Sequence, residues 1–307
     1  MAGSLEGHVA LVTGAGRGIG RAHALLLASR GAKLVVADYG GNLEGTSSAS
    51  SMPADDVAAE IRAAGGEAIA HCGSVAEPDE AAAMVAAAMD SWGRLDIVVN
   101  NAGISDLKLF VDIGADGFRR MIDVHYMGTV NVTMAAWPHM TRAGYGRVVN
   151  TCSEGMLGFH GYVSAYGGAK GGVYGFTRTL AAEAPRLGIQ VNGIAPRAHT
   201  RLGSDESVML TFNLPREMAQ AAMASRPPEL VSPAVAFLAH ETCPLNGEVL
   251  VSGGDSVHRM LVQLTPGIQS DTMTPEFIAD NLATLMDEAG GQTILVNPEA
   301  VKATAPA

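Results

Sequence analysis

A chain of 307 residues with 48% hydrophobic and 17% charged residues is long enough to close one large core, and a single α/β domain is the leading expectation. Its formal net charge of −11 and isoelectric point near 5.2 come without any clustered run of Lys and Arg, which excludes a nucleic-acid partner from the expectations. Cys72, Cys152 and Cys243 lie far apart with no ligand spacing, so no disulfide framework and no metal site are expected. That pattern fits a reducing compartment, and the absence of a leader-like or bilayer-length apolar run leads us to expect a soluble, cytoplasmic protein with no membrane partner.

In chain order, short apolar runs at residues 8–13, 33–38, 67–72, 94–100, 146–152, 189–195 and 248–251 alternate with Ala-, Leu- and Met-rich stretches at helical spacing. Strand followed by helix, repeated, predicts a parallel sheet covered on both faces, and the nearly continuous Val, Ile and Leu of the runs suit strands buried on both sides. Helices are predicted over 19–30, 55–64, 79–91, 116–140, 165–184 and 228–240. Residues 40–53, rich in Gly and Ser, read as a surface loop after the second strand. The stretch 196–228 mixes polar residues with Met209, Leu210, Phe212, Leu214 and Met218 and reads as a substrate lid. Residues 1–255 form the expected catalytic domain, and 256–307 an extension for packing or oligomerisation, with one helix over 275–288 and a last apolar run at 293–296.

Thr13 to Gly20 reads TGAGRGIG between an apolar strand and an amphipathic helix. Glycines there let the backbone approach a pyrophosphate, whose charge meets the free N–H groups of the helix start. Asp38 ends the second strand at the distance where a carboxylate accepts hydrogen bonds from the adenosine ribose, which points to NAD. A 2′-phosphate at that place would be repelled by ~4 kcal/mol at about 4 Å and an effective dielectric of about 20, partly offset by Arg17, so NADP is the weaker choice. Asn100-Asn101-Ala102-Gly103 closes the fourth strand, where the carboxyl edge of an open parallel sheet forms a ligand crevice.

Further on stand Ser153, Tyr166 and, one helical turn later, Lys170. A Tyr and a Lys four apart share a helix face, so the ammonium can bias the phenol towards phenolate. A free phenol ionises near pH ~10 and must fall by roughly two to three pH units, worth ~3–4 kcal/mol, to serve as a base near neutrality. Met156, Phe159, His160 and Tyr162, between Ser153 and Tyr166, are candidates for the substrate pocket.

TGAGRGIG, Asp38, NNAG, Ser153 and Tyr166-Gly167-Gly168-Ala169-Lys170, in this order, closely resemble the short-chain dehydrogenase/reductase family. The resemblance implies one doubly wound Rossmann domain with a seven-stranded parallel sheet ordered 3-2-1-4-5-6-7, helices on both faces, and assembly as a homodimer or homotetramer. It implies Tyr166 as general acid/base, Ser153 as the holder of the substrate oxygen, and Lys170 as the partner of the nicotinamide ribose. Cofactor contacts are implied for Gly14, Arg17, Gly18, Ile19, Gly20, Asp38, Ser74, Val75, Asn100, Ala102, Gly103 and Pro196, besides Tyr166 and Lys170.

Three departures from the common family pattern stand out: Ser74-Val75 where most members have Asp-Val, Val124-His125-Tyr126-Met127-Gly128 where most have V-N-x-x-G, and Pro196-Arg197 where most have Pro-Gly. His125, the Ser74-Val75 pair and the Asp38 followed by Gly40-Gly41 after the second strand resemble the dehydrogenase domains of the peroxisomal multifunctional β-oxidation enzymes, which implies His125 as a fourth catalytic member, since a neutral imidazole both donates and accepts. The expected activity is hydride transfer between NAD and a lipophilic secondary alcohol or ketone. A 3-hydroxyacyl-CoA substrate, with Arg197 and Arg201 near its phosphates, is the alternative within the same chemistry, and a catalytically silent dinucleotide sensor is the alternative outside it.

Overall fold

The computed structural model describes residues 4–158 and 160–297. Seven strands, β1 (Val9–Thr13), β2 (Lys33–Asp38), β3 (Ala68–Cys72), β4 (Ile97–Asn100), β5 (Gly146–Thr151), β6 (Ile189–Pro196) and β7 (Val249–Gly253), pair in parallel in the order β3-β2-β1-β4-β5-β6-β7. The expected Rossmann arrangement is therefore present, with one addition. An eighth strand, β8 (Ser256–Met260), runs antiparallel to β7 and extends the sheet. Gly253 pairs with Ser256 across Gly254 and Asp255, a two-residue hairpin in which Gly254 adopts a φ of 61°. The sheet thus takes in the first residues of the segment expected to form a separate extension.

Every residue of β1 is buried because both faces of the sheet are covered, and successive side chains join opposite layers. Ala10 and Val12 join one layer with the helices α1 (Gly18–Ser29), α2 (Met52–Ala63) and, near the chain's end, α9 (Ser232–Ala239). Val9 and Leu11 join the other, with α3 (Pro78–Trp92), α5 (Gly128–Ala143) and α6 (Ser164–Glu183). The remaining elements are α4 (Phe110–Met121), the lid-region helices α7 (Asp205–Phe212) and α8 (Arg216–Ala224), and, past β8, short β9 (Gln263–Leu264), α10 (Pro275–Asp280), α11 (Leu282–Leu285) and β10 (Gln292–Thr293). Among the described residues no helix is long and apolar enough to cross a membrane.

One predicted helix, 116–140, is in fact three pieces. Helix α4 begins earlier, bends at Gly114 (φ 64°, ψ 168°), and passes into a π-helical turn, Ile122–Met127, before α5. Hydrophobic periodicity carries no mark of the extra residue that such a turn accommodates. A buried polar ladder fastens the helices behind it to the sheet: the Asn100 amide donates to Thr133 Oγ1 and to Asn150 Oδ1, both at 2.9 Å, and the Asn150 amide donates to Thr177 Oγ1 at 3.0 Å. These bonds pin α5 and α6 against β4 and β5, the strands that deliver the site.

His23, buried on α1, sits 2.8 Å by its Nδ1 from Ser232 Oγ at the start of α9, and its Nε2 has no partner. Burial pulls its pKa from 6.5 down to about 3. Between those two values the unfolded chain binds a proton that the folded chain refuses, so stability present above pH 6.5 drains away as the pH falls towards 3, by up to about 1.4 kcal/mol per pH unit. Thermal unfolding between about pH 7 and about pH 5 should therefore show a shallower loss of Tm for His23→Gln than for the wild type. Parallel slopes in the two proteins would remove His23 as the source.

Candidate active site

Every strand from β1 to β6 points its carboxyl end at one cavity of about 920 Å³. Its lining includes Gly14, Arg17, Gly18, Ile19 and Gly20 after β1, Asp38 at the end of β2, Ser74 and Val75 after β3, and Ala102 and Gly103 after β4. His125 from the π turn, Ser153 after β5, Tyr166 and Lys170 on α6, and Pro196 at the end of β6 complete the set. The cavity thus brings together all the residues singled out in the sequence for catalysis, and all those for the cofactor except Asn100.

Asn100 is the correction in that set. Its amide is spent on the buried ladder with Thr133 and Asn150, so its side chain faces the interior of the sheet rather than the cavity. The neighbouring Asn101 lines the cavity instead. Its amide donates to the Thr13 and Gly14 carbonyls at 2.9 and 3.1 Å, and Thr13 Oγ1 accepts the Asn101 and Ala102 N–H groups. The second Asn of NNAG was the available signal. These bonds knit the glycine loop to the end of β4, and they leave no space at Gly20, where a Cβ would lie 2.1 Å from the Gly14 carbonyl oxygen and 2.4 Å from the Asn101 amide nitrogen.

Asp38 uses one carboxylate oxygen to accept the Gly16 N–H at 2.8 Å and the other to accept the Gly40 N–H at 2.6 Å. It therefore ties the glycine loop to the following surface loop, which stays irregular from 39 up to the start of α2. Arg17 is exposed and reaches the Gly41 carbonyl at 3.5 Å.

At the other end of the cavity, Ser153 Oγ accepts the Gly155 N–H at 3.0 Å and caps a single 3₁₀ turn, Glu154–Leu157. The Lys170 side chain is buried, donates to the Thr151 carbonyl at 2.5 Å, and lies 5.8 Å from the centre of the Tyr166 ring. Burial brings its pKa down to about 8. Burial also raises the Tyr166 phenol above its ordinary value, a hydrogen bond with Ser153 opposing the rise. In this arrangement burial and the Ser153 hydrogen bond govern the phenol, while the Lys170 ammonium is turned to the Thr151 carbonyl.

His125 meets the Tyr166 ring edge-on at 5.1 Å between centroids, and its Nε2 lies 2.9 Å from the Ile104 carbonyl oxygen and 3.2 Å from the Ile104 N–H nitrogen. Burial, reinforced by Lys170, holds its pKa at about 3, so the ring is neutral, and Nδ1 has no partner. Gly103 makes room for it: a Cβ there would lie 2.6 Å from His125 Cε1.

Of the four pocket candidates between Ser153 and Tyr166, His160 lines the cavity. Met156 packs instead on the cluster around Cys152 and Val173, and Tyr162 takes a left-handed turn (φ 63°) outside the lining. Phe159 lies outside the described residues. The segment 196–228 folds into α7 and α8 and contributes Thr200, Val208, Phe212 and Met223 to the wall, with the Phe212 ring 4.4 Å from that of His160.

A family model described as short chain dehydrogenase matches residues 8–201. The chain belongs to the short-chain dehydrogenase/reductase family. It is accordingly an oxidoreductase of CH–OH groups built to use a nicotinamide dinucleotide. It is 39% identical to the mouse peroxisomal multifunctional enzyme type 2 over 92% of its own length, while spanning 37% of that longer protein. A short chain dehydrogenase from Mycobacterium avium superposes with a TM-score of 0.76 at 34% identity, covering 95% of this chain and 98% of that one. A 7α-hydroxysteroid dehydrogenase in complex with NADH and 7-oxo glycochenodeoxycholic acid superposes with a TM-score of 0.70 at 27% identity, covering 83% of this chain and 96% of that one.

Because Gly20 is packed on both sides, Gly20→Ala should weaken NADH binding by roughly tenfold or more, a loss of ~1.4 kcal/mol, while the sheet still folds. Fluorescence titration with NADH beside a thermal melt checks this, and unchanged affinity would overturn the account of the loop.

Proposed function

We propose that the chain binds NAD(H) along the carboxyl edge of its sheet and interconverts a lipophilic secondary alcohol and the corresponding ketone. One observation carries this reading: Ser153, Tyr166 and Lys170 line the same cavity as the glycine loop and Asp38. The cradle suits a dinucleotide, since Gly14 and Gly20 let the glycine loop pack directly against Asn101 and Ala102 at the end of β4, where a Cβ would collide, and Asp38 holds a carboxylate at the ribose end with no positive side chain bonded to it among the described residues.

In this reading Ser153 Oγ holds the substrate oxygen, and the Tyr166 phenol exchanges the proton of that oxygen. When bound, the nicotinamide takes or gives the hydride and, in its oxidised form, adds a positive charge that favours phenolate. Burial favours the protonated form of Tyr166, which suits proton donation to a ketone oxygen. Lys170, with its pKa brought to about 8, would hold the cofactor's ribose and supply a proton reservoir behind the phenol. His125 supports the edge of the Tyr166 ring, and its Nδ1 has no partner among the described residues. The wall from Val163, Ile104, Leu107, Val208, Phe212 and Met223 is apolar and favours a lipophilic substrate.

A 3-hydroxyacyl-CoA thioester is the second reading. It is favoured by the similarity to the multifunctional peroxisomal enzyme and by Arg201 and Arg226, which line the cavity from the 196–228 segment and form no ion pair among the described residues. The silent-sensor reading loses its footing because neither Tyr166 nor Lys170 is missing or turned away.

Two outcomes are expected. Tyr166→Phe should cut turnover by roughly 10²–10⁴-fold, followed by reduced-nicotinamide absorbance over alcohols and ketones, with NADH binding retained; near-normal turnover would reject the assigned role. Asp38→Ser should raise the ratio of kcat/KM with NADP to that with NAD by roughly 10- to 100-fold, or ~1.4–2.8 kcal/mol, and a wild type that already prefers NADP would reverse the cofactor assignment.

A further inference from the structure

Beside Ser153 stands an ion pair that the reaction described above does not use. Glu154 and Arg197 meet through two parallel contacts: Arg197 Nε donates to one carboxylate oxygen at 2.6 Å and Nη2 to the other at 2.5 Å. Both residues line the cavity, and both side chains are part-buried. Such a fork-to-fork pair fixes orientation as well as distance, because the planar guanidinium fits the carboxylate in one arrangement. Arg197 stands where the common family pattern has glycine.

Its place in the sheet gives the pair its meaning. Strands β5 and β6 run in register up to Thr151 and Ile194, and Cys152 N–H still donates to the Ile194 carbonyl at 2.7 Å. Beyond that bond the backbones part to form the crevice. Two residues past Cys152, in the turn after β5, is Glu154; three past Ile194, just beyond the end of β6, is Arg197; and their side chains reconnect the two chain segments across the opening. The Arg197 side is rigid: its N–H donates to the Ser252 carbonyl of β7 at 2.8 Å, and a Cβ on Gly253 would lie 2.0 Å from the Arg197 carbonyl oxygen. The Glu154 side is a single 3₁₀ turn capped by Ser153 Oγ. A one-turn element has little stiffness of its own, so an external tie decides where its first residue sits.

Resting on the reading of Ser153 as the group that holds the substrate oxygen, we infer that Glu154 and Arg197 are positioning residues that anchor the Ser153 turn to the nicotinamide-side wall at Pro196, fixing the serine hydroxyl relative to the reacting carbon. Arg197 holds the Glu154 carboxyl below its ordinary pKa against the effect of burial, with His160 and Arg226 adding to the same pull. The carboxylate therefore stays charged across the working pH range, and the tie stays closed. The same pairing withdraws Arg197 from substrate recognition, leaving Arg201 and Arg226 as the cations open to an anionic group on the substrate.

The experiment compares wild type, Glu154→Gln, Arg197→Lys and the reversed pair Glu154→Arg with Arg197→Glu. Hydrogen exchange over residues 153–158, read on the NADH-bound protein without substrate, should quicken by roughly tenfold or more in each single variant and return towards wild type in the reversed pair. With NADH and acetoacetyl-CoA, kcat should fall by roughly ten- to a hundredfold in the single variants while KM and NADH affinity change by less than about threefold, and the reversed pair should recover part of the loss. Unaltered exchange in the single variants overturns the inference, as does a loss carried by KM or NADH affinity alone. A wild type that turns over no ketone at all defeats the functional reading instead, and the exchange data then still decide whether the tie exists.

Discussion

The whole site depends on one constraint of parallel sheets, that every strand delivers its carboxyl end to the same edge. Crossover helices leave β1 in one direction towards β2 and β3, and in the other towards β4, β5 and β6, so the connections on the two sides part between β1 and β4 and open a crevice there. The glycine loop, Asp38, the Ser74-Val75 turn, the NNAG segment, the Ser153 turn and Pro196 are each the first residues past a strand, or its last. None of them is near another in sequence. The sheet makes them neighbours, and the ladder of Asn100, Asn150, Thr133 and Thr177 keeps the strands and helices behind them from shifting.

Within that frame, desolvation governs the ionisable groups more than their mutual attraction does. Burial raises the Tyr166 phenol, brings Lys170 to about 8 and holds His125 at about 3, so each is biased towards its neutral form. A spacing argument alone had the ammonium drawing the phenol down. In the site as folded, burial is the larger influence on the phenol, and Lys170, 5.8 Å from the ring centre, donates a hydrogen bond to the Thr151 carbonyl. The site is thus arranged to respond to an arriving charge, since a positive group in so dry a setting acts more strongly on the phenol than it would in water.

Much of this was legible in the sequence, and for physical reasons. Strands buried on both faces must be runs of Val, Ile and Leu, a backbone that approaches a phosphate must be glycine, and residues four apart on a helix must share a face, so the seven parallel strands, the glycine loop and the Tyr166–Lys170 pair could be read directly. What escaped reading depended on contacts rather than on type. The choice between Asn100 and Asn101 turns on which one faces the sheet interior, and adjacent residues at a strand end point opposite ways. Strand β8 is polar and half exposed, so it shows no apolar run, although its Gly254-Asp255 hairpin was a usable mark. The π turn at His125 leaves no periodic trace.

The same distinction separates the two ends of the cavity. The dinucleotide end is made by backbone: bare glycines, amide groups and a carboxylate that itself grips two N–H groups, and backbone geometry has a sequence signature. The substrate end is made by side chains on turns and on the 196–228 segment, where His160 meets Phe212 edge-on and Glu154 grips Arg197 across the gap beyond β5 and β6. Such contacts join residues from separate loops, so no local pattern announces them, and a change of one partner alters the other's environment. Relatives that share the cofactor end can therefore differ widely at this one, which is why reaction class follows from the family while substrate choice must be argued from this chain's own side chains.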